Sequence, residues 1–280
     1  MSHMRRIGHV GLVGCGAIGT VIAKAIDKGA AGGFKLEGVY DIVREKAEAL
    51  AGLLSQRPQV ASSAEELIRL PGLDLIVEAA SQQAVRELAV KILAARRDLM
   101  IMSVGALVDP ELLRTLESTA VKANRRIYVP SGAIAGLDAV KAASAASVSD
   151  VTLTSRKSPK ALKGSAYLDS IASSLGQLAE PKVIYEGRAT EACRLFPANV
   201  NVAATLSIAS LGPDKVKVRV IADPTVQKNV HEISVRGEFG ELFARTANVP
   251  SPHNPATSYL AALSAIAMLR RLSSPLVVGT

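Results

Sequence analysis

The stretch Gly14-Cys15-Gly16-Ala17-Ile18-Gly19 constrains this chain more than any other. It follows an apolar run, Ile7 to Val13, that reads as a strand. It opens a segment, Ala17 to Lys28, in which Ile18, Val21, Ile22, Ala25 and Ile26 fall on one helical stripe. Between a strand and a helix, the first glycine makes a tight turn, the second lets backbone approach a pyrophosphate, and the third lets the helix pack close to the strand. N–H groups at the helix start then face the phosphate charge. Asp41 ends the next predicted strand, 22 residues past Gly19, where a carboxylate can accept hydrogen bonds from the adenosine ribose. It repels a 2′-phosphate and favours NAD over NADP, a preference that Arg44 softens. A ligand-free glycine turn beside an incidental acid is the competing reading. Strand, loop, helix and acid in this order weigh against it.

The first half of the chain continues as alternating strands and helices. Lys35 to Tyr40, Leu73 to Glu78, Leu99 to Val104 and Arg126 to Val129 read as strands. Val43 to Leu54, Ser63 to Leu70, a segment ending near Ala95, and Pro110 to Asn124 read as helices. Such alternation implies a parallel sheet covered on both faces, the α/β class of dinucleotide-binding (Rossmann) domains. Ligands in such folds sit beyond the carboxyl ends of the strands. Ala79, Ala80 and Ser81 follow one strand, Ser103 and Gly105 the next, and Ala133 the last, so these small residues are expected to line the same crevice as Gly14, Gly16, Ala17, Ile18, Gly19 and Asp41.

The second half has a different rhythm. Val151 to Lys157, Lys215 to Ile221, Val230 to Arg236 and Glu241 to Ala247 alternate as strands, with Gly237-Glu238-Phe239-Gly240 as a turn. This predicts a second, α+β domain with an open-faced mixed or antiparallel sheet. Asn254 and Pro255 suit the start of a final helix, Ala256 to Leu272, that is apolar on nearly every side and expected to be buried. The expected division is a Rossmann domain over 1–130, completed by 250–280, and a substrate and dimerisation domain over 131–249.

Composition narrows the ligand. Of 280 residues, 33 are basic and 25 acidic, a net charge of +8 that suits anions. Aromatics are 3% with no Trp, and no dense Lys/Arg block appears, so platforms for stacking nucleic-acid bases are scarce. Cys15 and Cys193 form no CxxC pair, so neither a metal site nor a disulfide framework is expected. The longest apolar run, Tyr259 to Leu269, is too short for a membrane span. Met1-Ser2-His3-Met4 has no apolar core behind it and reads as a remnant, leaving a cytoplasmic setting as the default expectation.

Hydride chemistry also needs a group that moves a proton, usually histidine near neutral pH. His9 lies early in the first strand and reads as structural. His253 precedes the final helix and reads as a surface or capping residue. His231 shares a strand face with Ile233 and Val235, so it is either a satisfied core histidine or the proton carrier. Asn199, ahead of a predicted helix from Val200 to about Ala209, is either a cap or an amide that holds the nicotinamide or the substrate. Arg156 and Lys157, with Lys163 and Arg194 as further options, are candidate cations for a carboxylate substrate.

Taken together, the Gly14–Gly19 loop, Val77-Glu78-Ala79-Ala80-Ser81, Ser103-Val104-Gly105-Ala106-Leu107, Pro130 to Leu137, Phe196-Pro197-Ala198-Asn199-Val200-Asn201, Asn229-Val230-His231-Glu232-Ile233 and Asn254-Pro255-Ala256-Thr257-Ser258 resemble the NAD(P)-dependent L-aspartate dehydrogenases. The resemblance covers nearly the whole chain, with His253 as a departure where an acidic or polar residue is expected. It implies oxidation of L-aspartate to iminoaspartate with NAD or NADP. The imine then yields oxaloacetate and ammonia, or feeds quinolinate and NAD biosynthesis; the reverse is reductive amination. It further implies His231 as the catalytic residue, Ala133 and Asn199 as cofactor contacts, and a homodimer. Thr154, Arg156, Lys157 and Asn229 are the expected holders of the two carboxylates, with aspartate lying between the nicotinamide ring and the open sheet. Two other possibilities stay open: a homoserine dehydrogenase or dihydrodipicolinate reductase type of enzyme, and a non-catalytic NAD(H) sensor.

Overall fold

A computed structural model describes residues 8–162, 165–197, 201–251 and 254–279. The chain forms two compact units. The first comprises Met1–Pro130 and Ala262–Val278, the second Ser131–Ala261 with Gly279–Thr280.

In the first unit the strands are β1 (His9–Val13), β2 (Lys35–Tyr40), β3 (Gln59–Val60), β4 (Leu75–Glu78), β5 (Asp98–Ile101) and β6 (Ile127–Tyr128). The helices are α1 (Ala17–Asp27), α2 (Arg44–Gly52), α3 (Ala64–Arg69), α4 (Gln82–Ala94) and α5 (Pro110–Ala123). All strand pairs are parallel, in the order β3-β2-β1-β4-β5-β6. The order reverses between β1 and β4, so their carboxyl ends open a crevice. β4 and β5 are buried at every position, as strands covered on both faces must be. Helix starts follow local chemistry. Ser63 Oγ accepts from the Glu66 amide, Ser81 Oγ from the Ala84 amide, and the Asp109 carboxylate from the Glu111 and Leu112 amides ahead of Pro110. Asn124 ends α5 in the left-handed region, φ 52°. Val104–Val108, expected to begin as strand, forms a 3₁₀ turn instead.

The second unit contains α6 (Leu137–Ala143), β7 (Val148–Lys157), α7 (Ala166–Ser170), α8 (Ala172–Gly176), β8 (Lys182–Arg188), α9 (Ala189–Leu195), α10 (Asn201–Ile208), β9 (Lys217–Ala222), β10 (Asn229–Gly237) and β11 (Gly240–Asn248). A five-stranded sheet runs β11-β10-β7-β9-β8. It is mixed: β7 and β9 are parallel, and the other neighbours are antiparallel. One face buries Val151, Leu153, Val218, Val220, Ile233 and Val235. The opposite face carries the ion pairs Arg245–Glu232 and Arg219–Glu186. Phe196, after α9, is fully buried with the Tyr167 and Tyr185 rings edge-on at 5.3 and 5.6 Å.

The chain after β11 departs from the sequence expectation. Pro250–Ser251 and Asn254–Ser258 pair as antiparallel strands β12 and β13, and the last helix, α11, is Tyr259–Ser273. Strand pairing therefore outweighs the capping potential of Asn254 and Pro255. The helix is not buried all round either. Ala262, Ala265, Ile266 and Leu269 form one buried stripe, while Tyr259 and Leu263 stay 38% and 37% exposed. Ala265, Ile266 and Leu269 join the first unit's core beside Val10, Leu12, Ile22 and Leu36.

Candidate functional site

The glycine loop joins β1 to α1, and each glycine is required differently. Gly14 has φ +95°, and a Cβ there would lie 2.6 Å from the Ala79 carbonyl of the loop after β4. A Cβ on Gly19 would lie 2.0 Å from the Gly14 carbonyl oxygen, so α1 can seat against the loop only without one. Gly16, the residue before α1, is exposed, and a Cβ there would meet nothing within 4 Å. No contact among the described residues therefore requires a glycine at position 16. Gly16 keeps clear the space ahead of a helix N-terminus, and Ala17 and Ile18, half-buried, begin that helix. The residues present fit a dinucleotide pyrophosphate.

Asp41, at the end of β2, accepts from the Cys15 amide through Oδ2 at 2.8 Å and from the Val43 amide through Oδ1 at 2.9 Å. The carboxylate therefore braces the glycine loop, and retains lone pairs for a ribose. The Cys15 thiol is pushed up to about 12, first by burial and then by the Asp41 charge, which excludes it as a nucleophile near neutrality. Beside this loop lies a cleft of about 280 Å³ whose lining includes Gly14, Asp41, Ile42, Ala80, Ser81, Ala84, Glu65, Glu87 and Lys91. Ile42 and the alanines offer apolar contact for a flat ring. Glu65 and Lys91 neutralise each other at 2.7 Å, leaving Asp41 and Glu87 to set the sign of the cleft.

Glu78, at the end of β4, is a site residue that sequence reasoning passed over. It is 1% exposed. Oε1 accepts from the Ala80 and Ser81 amides at 2.7 and 2.9 Å and from Ser103 Oγ at 2.8 Å, and Oε2 accepts from the Ser103 amide at 3.0 Å. Burial pushes this carboxyl above its usual range, against the pull of those donors. One side chain thus fixes both loops, the one carrying Ala79, Ala80 and Ser81 and the one carrying Ser103 and buried Gly105. A charge in an otherwise apolar strand, Leu75-Ile76-Val77-Glu78, was the readable signal.

In the second unit, His231 is 3% exposed on the inner face of β10. It stands directly across from Ser155 on β7 and Thr246 on β11. Ser155 Oγ lies 3.1 Å from His231 Nδ1. Lys157 and Asn229, both buried, follow on the same face by strand alternation. Burial, reinforced by the Lys157 charge, lowers the imidazole to about 3, and burial lowers Lys157 to about 8. The ring is therefore neutral at physiological pH and able to accept a proton once charge is supplied nearby. Ala133, also buried, is held by its carbonyl, which accepts from Thr246 Oγ1 at 2.8 Å and Asn248 Nδ2 at 2.9 Å.

Not every expected substrate residue joins this cluster. Thr154 and Arg156 alternate onto the other face of β7, and Arg156 Nη1 donates to Asp223 Oδ2 at 2.8 Å. Burial opposes ionisation of Asp223, but hydrogen bonds from Thr225 and Arg156 prevail and hold its carboxyl below the usual range. The Arg156 charge is thereby already matched. His9 is half-exposed and pairs with Glu37 at 2.6 Å. Arg194 is exposed on α9. His3, Lys163, Asn199 and His253 lie outside the described residues. Ser155, Thr246 and Asn248 were not singled out from sequence. The inward alternation of Leu153, Ser155 and Lys157 was the signal for the first.

Comparison with known proteins bears on both units. Residues 138–272 match the family model described as aspartate dehydrogenase, C-terminal, and residues 14–130 match the NAD-binding domain of homoserine dehydrogenase. The chain is 47% identical over 271 residues to the L-aspartate dehydrogenase of Methanosarcina barkeri, covering 97% of this chain and 99% of that one. It is 49% identical to that of Methanocella arvoryzae at the same coverage. Among solved structures, aspartate dehydrogenase from Thermotoga maritima superposes with a TM-score of 0.76 at 28% identity, covering 97% of this chain and 99% of the other. An NAD-binding domain joined to the C-terminal domain of aspartate dehydrogenases, at such identity over such length, means that this chain belongs to the L-aspartate dehydrogenase family.

Proposed function

We propose that this chain oxidises L-aspartate to iminoaspartate with NAD, water then releasing oxaloacetate and ammonia, and that it runs the reverse amination. The observation that carries the reading is the buried Ser155, Lys157, Asn229 and His231 cluster on one sheet face, a cation and a neutral base together where water is scarce. A dinucleotide held by its pyrophosphate at the glycine loop would supply, through its nicotinamide, the two-electron acceptor for the Cα hydrogen of the substrate. Lys157 and Asn229 bind the substrate carboxylates, and a carboxylate restores the favoured charged state of the Lys157 ammonium. His231, neutral until then, takes the proton released as the amine becomes an imine. Having passed that proton back to the imine nitrogen, it removes a proton from the water that attacks the imine carbon. Ala133 and Asn199 are proposed cofactor contacts, alongside Gly14, Gly16, Ala17, Ile18, Gly19, Asp41, Ala79, Ala80, Ser81, Ser103 and Gly105.

The preference for NAD rests on Asp41 and Glu87 in the cleft, whose charges disfavour a 2′-phosphate. A homodimer, a cytoplasmic setting and a supply of iminoaspartate to pyridine nucleotide biosynthesis belong to the same reading. The test is formation of reduced nicotinamide by the purified protein with L-aspartate or homoserine, and consumption of reduced nicotinamide with a cyclic imine, with each cofactor. L-aspartate with NAD should be the best pair, and His231→Ala should lower its turnover about a hundredfold while cofactor binding persists. Turnover with homoserine alone, or with no substrate, overturns the reading.

A further inference from the structure

The ring of His231 has one hydrogen-bond partner among the described residues, the hydroxyl of Ser155. The two residues are directly opposed on adjacent antiparallel strands, β10 and β7, and both side chains are buried, at 3% and 1% exposure. A neutral imidazole carries one N–H donor and one lone pair, and the bond made by one nitrogen decides what the other can do. With Nδ1 committed to Ser155, Nε2 is the nitrogen left to meet a substrate. To take up a proton, Nε2 must carry the lone pair, and Nδ1 must carry the hydrogen.

We propose that Ser155 is a positioning residue whose Oγ accepts a hydrogen bond from His231 Nδ1–H, holding the ring in the tautomer that presents a basic Nε2. The inference rests on the reading of His231 as the proton acceptor. Burial and the neighbouring Lys157 ammonium keep the ring neutral before substrate arrives, which makes the choice of tautomer decisive. Free imidazole interconverts its tautomers readily in water. Within the sheet, the backbone ladder fixes the distance between the two residues, and a flip of the ring breaks the bond. A serine suits the place because its hydroxyl is short enough to meet a ring directly across the strand pair without displacing it.

Two measurements on the full-length protein test this. In ¹⁵N-labelled protein, with His231→Gln used to assign the resonances, Nδ1 of His231 should show the shift of a protonated ring nitrogen and Nε2 that of an unprotonated one. The opposite pattern overturns the proposal and leaves the role of His231 standing. In kinetics, Ser155→Ala should lower kcat about tenfold or more with KM for L-aspartate changed less than about threefold, while Ser155→Thr, which keeps the hydroxyl, restores most of the loss. In a His231→Ala background, Ser155→Ala should cost nothing further, since the two act as one unit. A kcat within about twofold of wild type for Ser155→Ala, or the same loss with and without His231, contradicts the proposal. Near-normal turnover of His231→Ala removes the underlying reading and the inference with it.

Discussion

The three glycines after β1 separate two kinds of constraint that look identical as letters. Gly14 and Gly19 are demanded by the protein's own backbone, whereas nothing in the chain demands Gly16, which only the proposed pyrophosphate site requires. This yields a contrast. Gly16→Ala should leave the melting temperature unchanged or slightly raised, because its φ of −76° suits any residue. It should weaken cofactor binding about tenfold or more, the equivalent of one lost charge-assisted hydrogen bond. Gly19→Ala should destabilise the fold itself. Calorimetric titration with NAD beside thermal melts distinguishes the two. Protonation gives a second prediction at this scale. The unfolded chain protonates His231 at its ordinary 6.5, and the folded protein holds out until about 3, so the stability contributed by the neutral ring is lost as pH falls through that window. Lys157 has the same sign between 10.5 and about 8. Melting temperature should therefore decline on acidification from about pH 6.5, and His231→Leu should flatten that decline. An unchanged slope in the variant contradicts the assignment.

Among the elements, the first unit was legible and the chain's end was not. The apolar stripe of α1 and the Asp109 and Asn124 caps of α5 are local features, so local rules sufficed there. The two-residue β3 and the segment β8, a strand with little buried surface, carry no such period. Asn254-Pro255 illustrates a local signal overruled by pairing with Pro250–Ser251. At the site, the glycine loop and His231 were visible because spacing and strand alternation mark them. Glu78 and Ser155 were marked only as a charge and a hydroxyl at inward strand positions, and the partners that give them a role lie far along the chain: Ser103, 25 residues on, and His231, 76 residues on. Alternation puts Lys157 and Arg156 on opposite faces, but which of the two is buried follows only once β7 is known to be covered on that side. Glu78 makes an element-scale prediction. Glu78→Gln turns one acceptor into a donor against amides that only donate. It should cost about 1–3 kcal/mol of stability and loosen cofactor binding together. Urea melts and NAD titration of the same variant check this, and a loss of neither sinks the role assigned to Glu78.

For the molecule, the division of labour follows the two units. One carries a parallel sheet with a glycine loop, an acid at the end of β2 and a braced pair of loops. The other carries an open-faced mixed sheet whose inner face ends in a base, a cation and amides. No helix among the described residues is long and apolar enough to cross a membrane. Dehydrogenation of an amino acid needs both a hydride acceptor and a proton acceptor, and in the proposed reading each unit supplies residues for one of them. The decisive measurement follows the hydrogen itself. L-aspartate deuterated at Cα is incubated with the protein and NAD, and the nucleotide is analysed by mass spectrometry and NMR. Deuterium should appear at the C4 position of the reduced nicotinamide, with the transfer strongly slowed in His231→Ala. Reduced nucleotide without the label, or no reduced nucleotide at all, contradicts it.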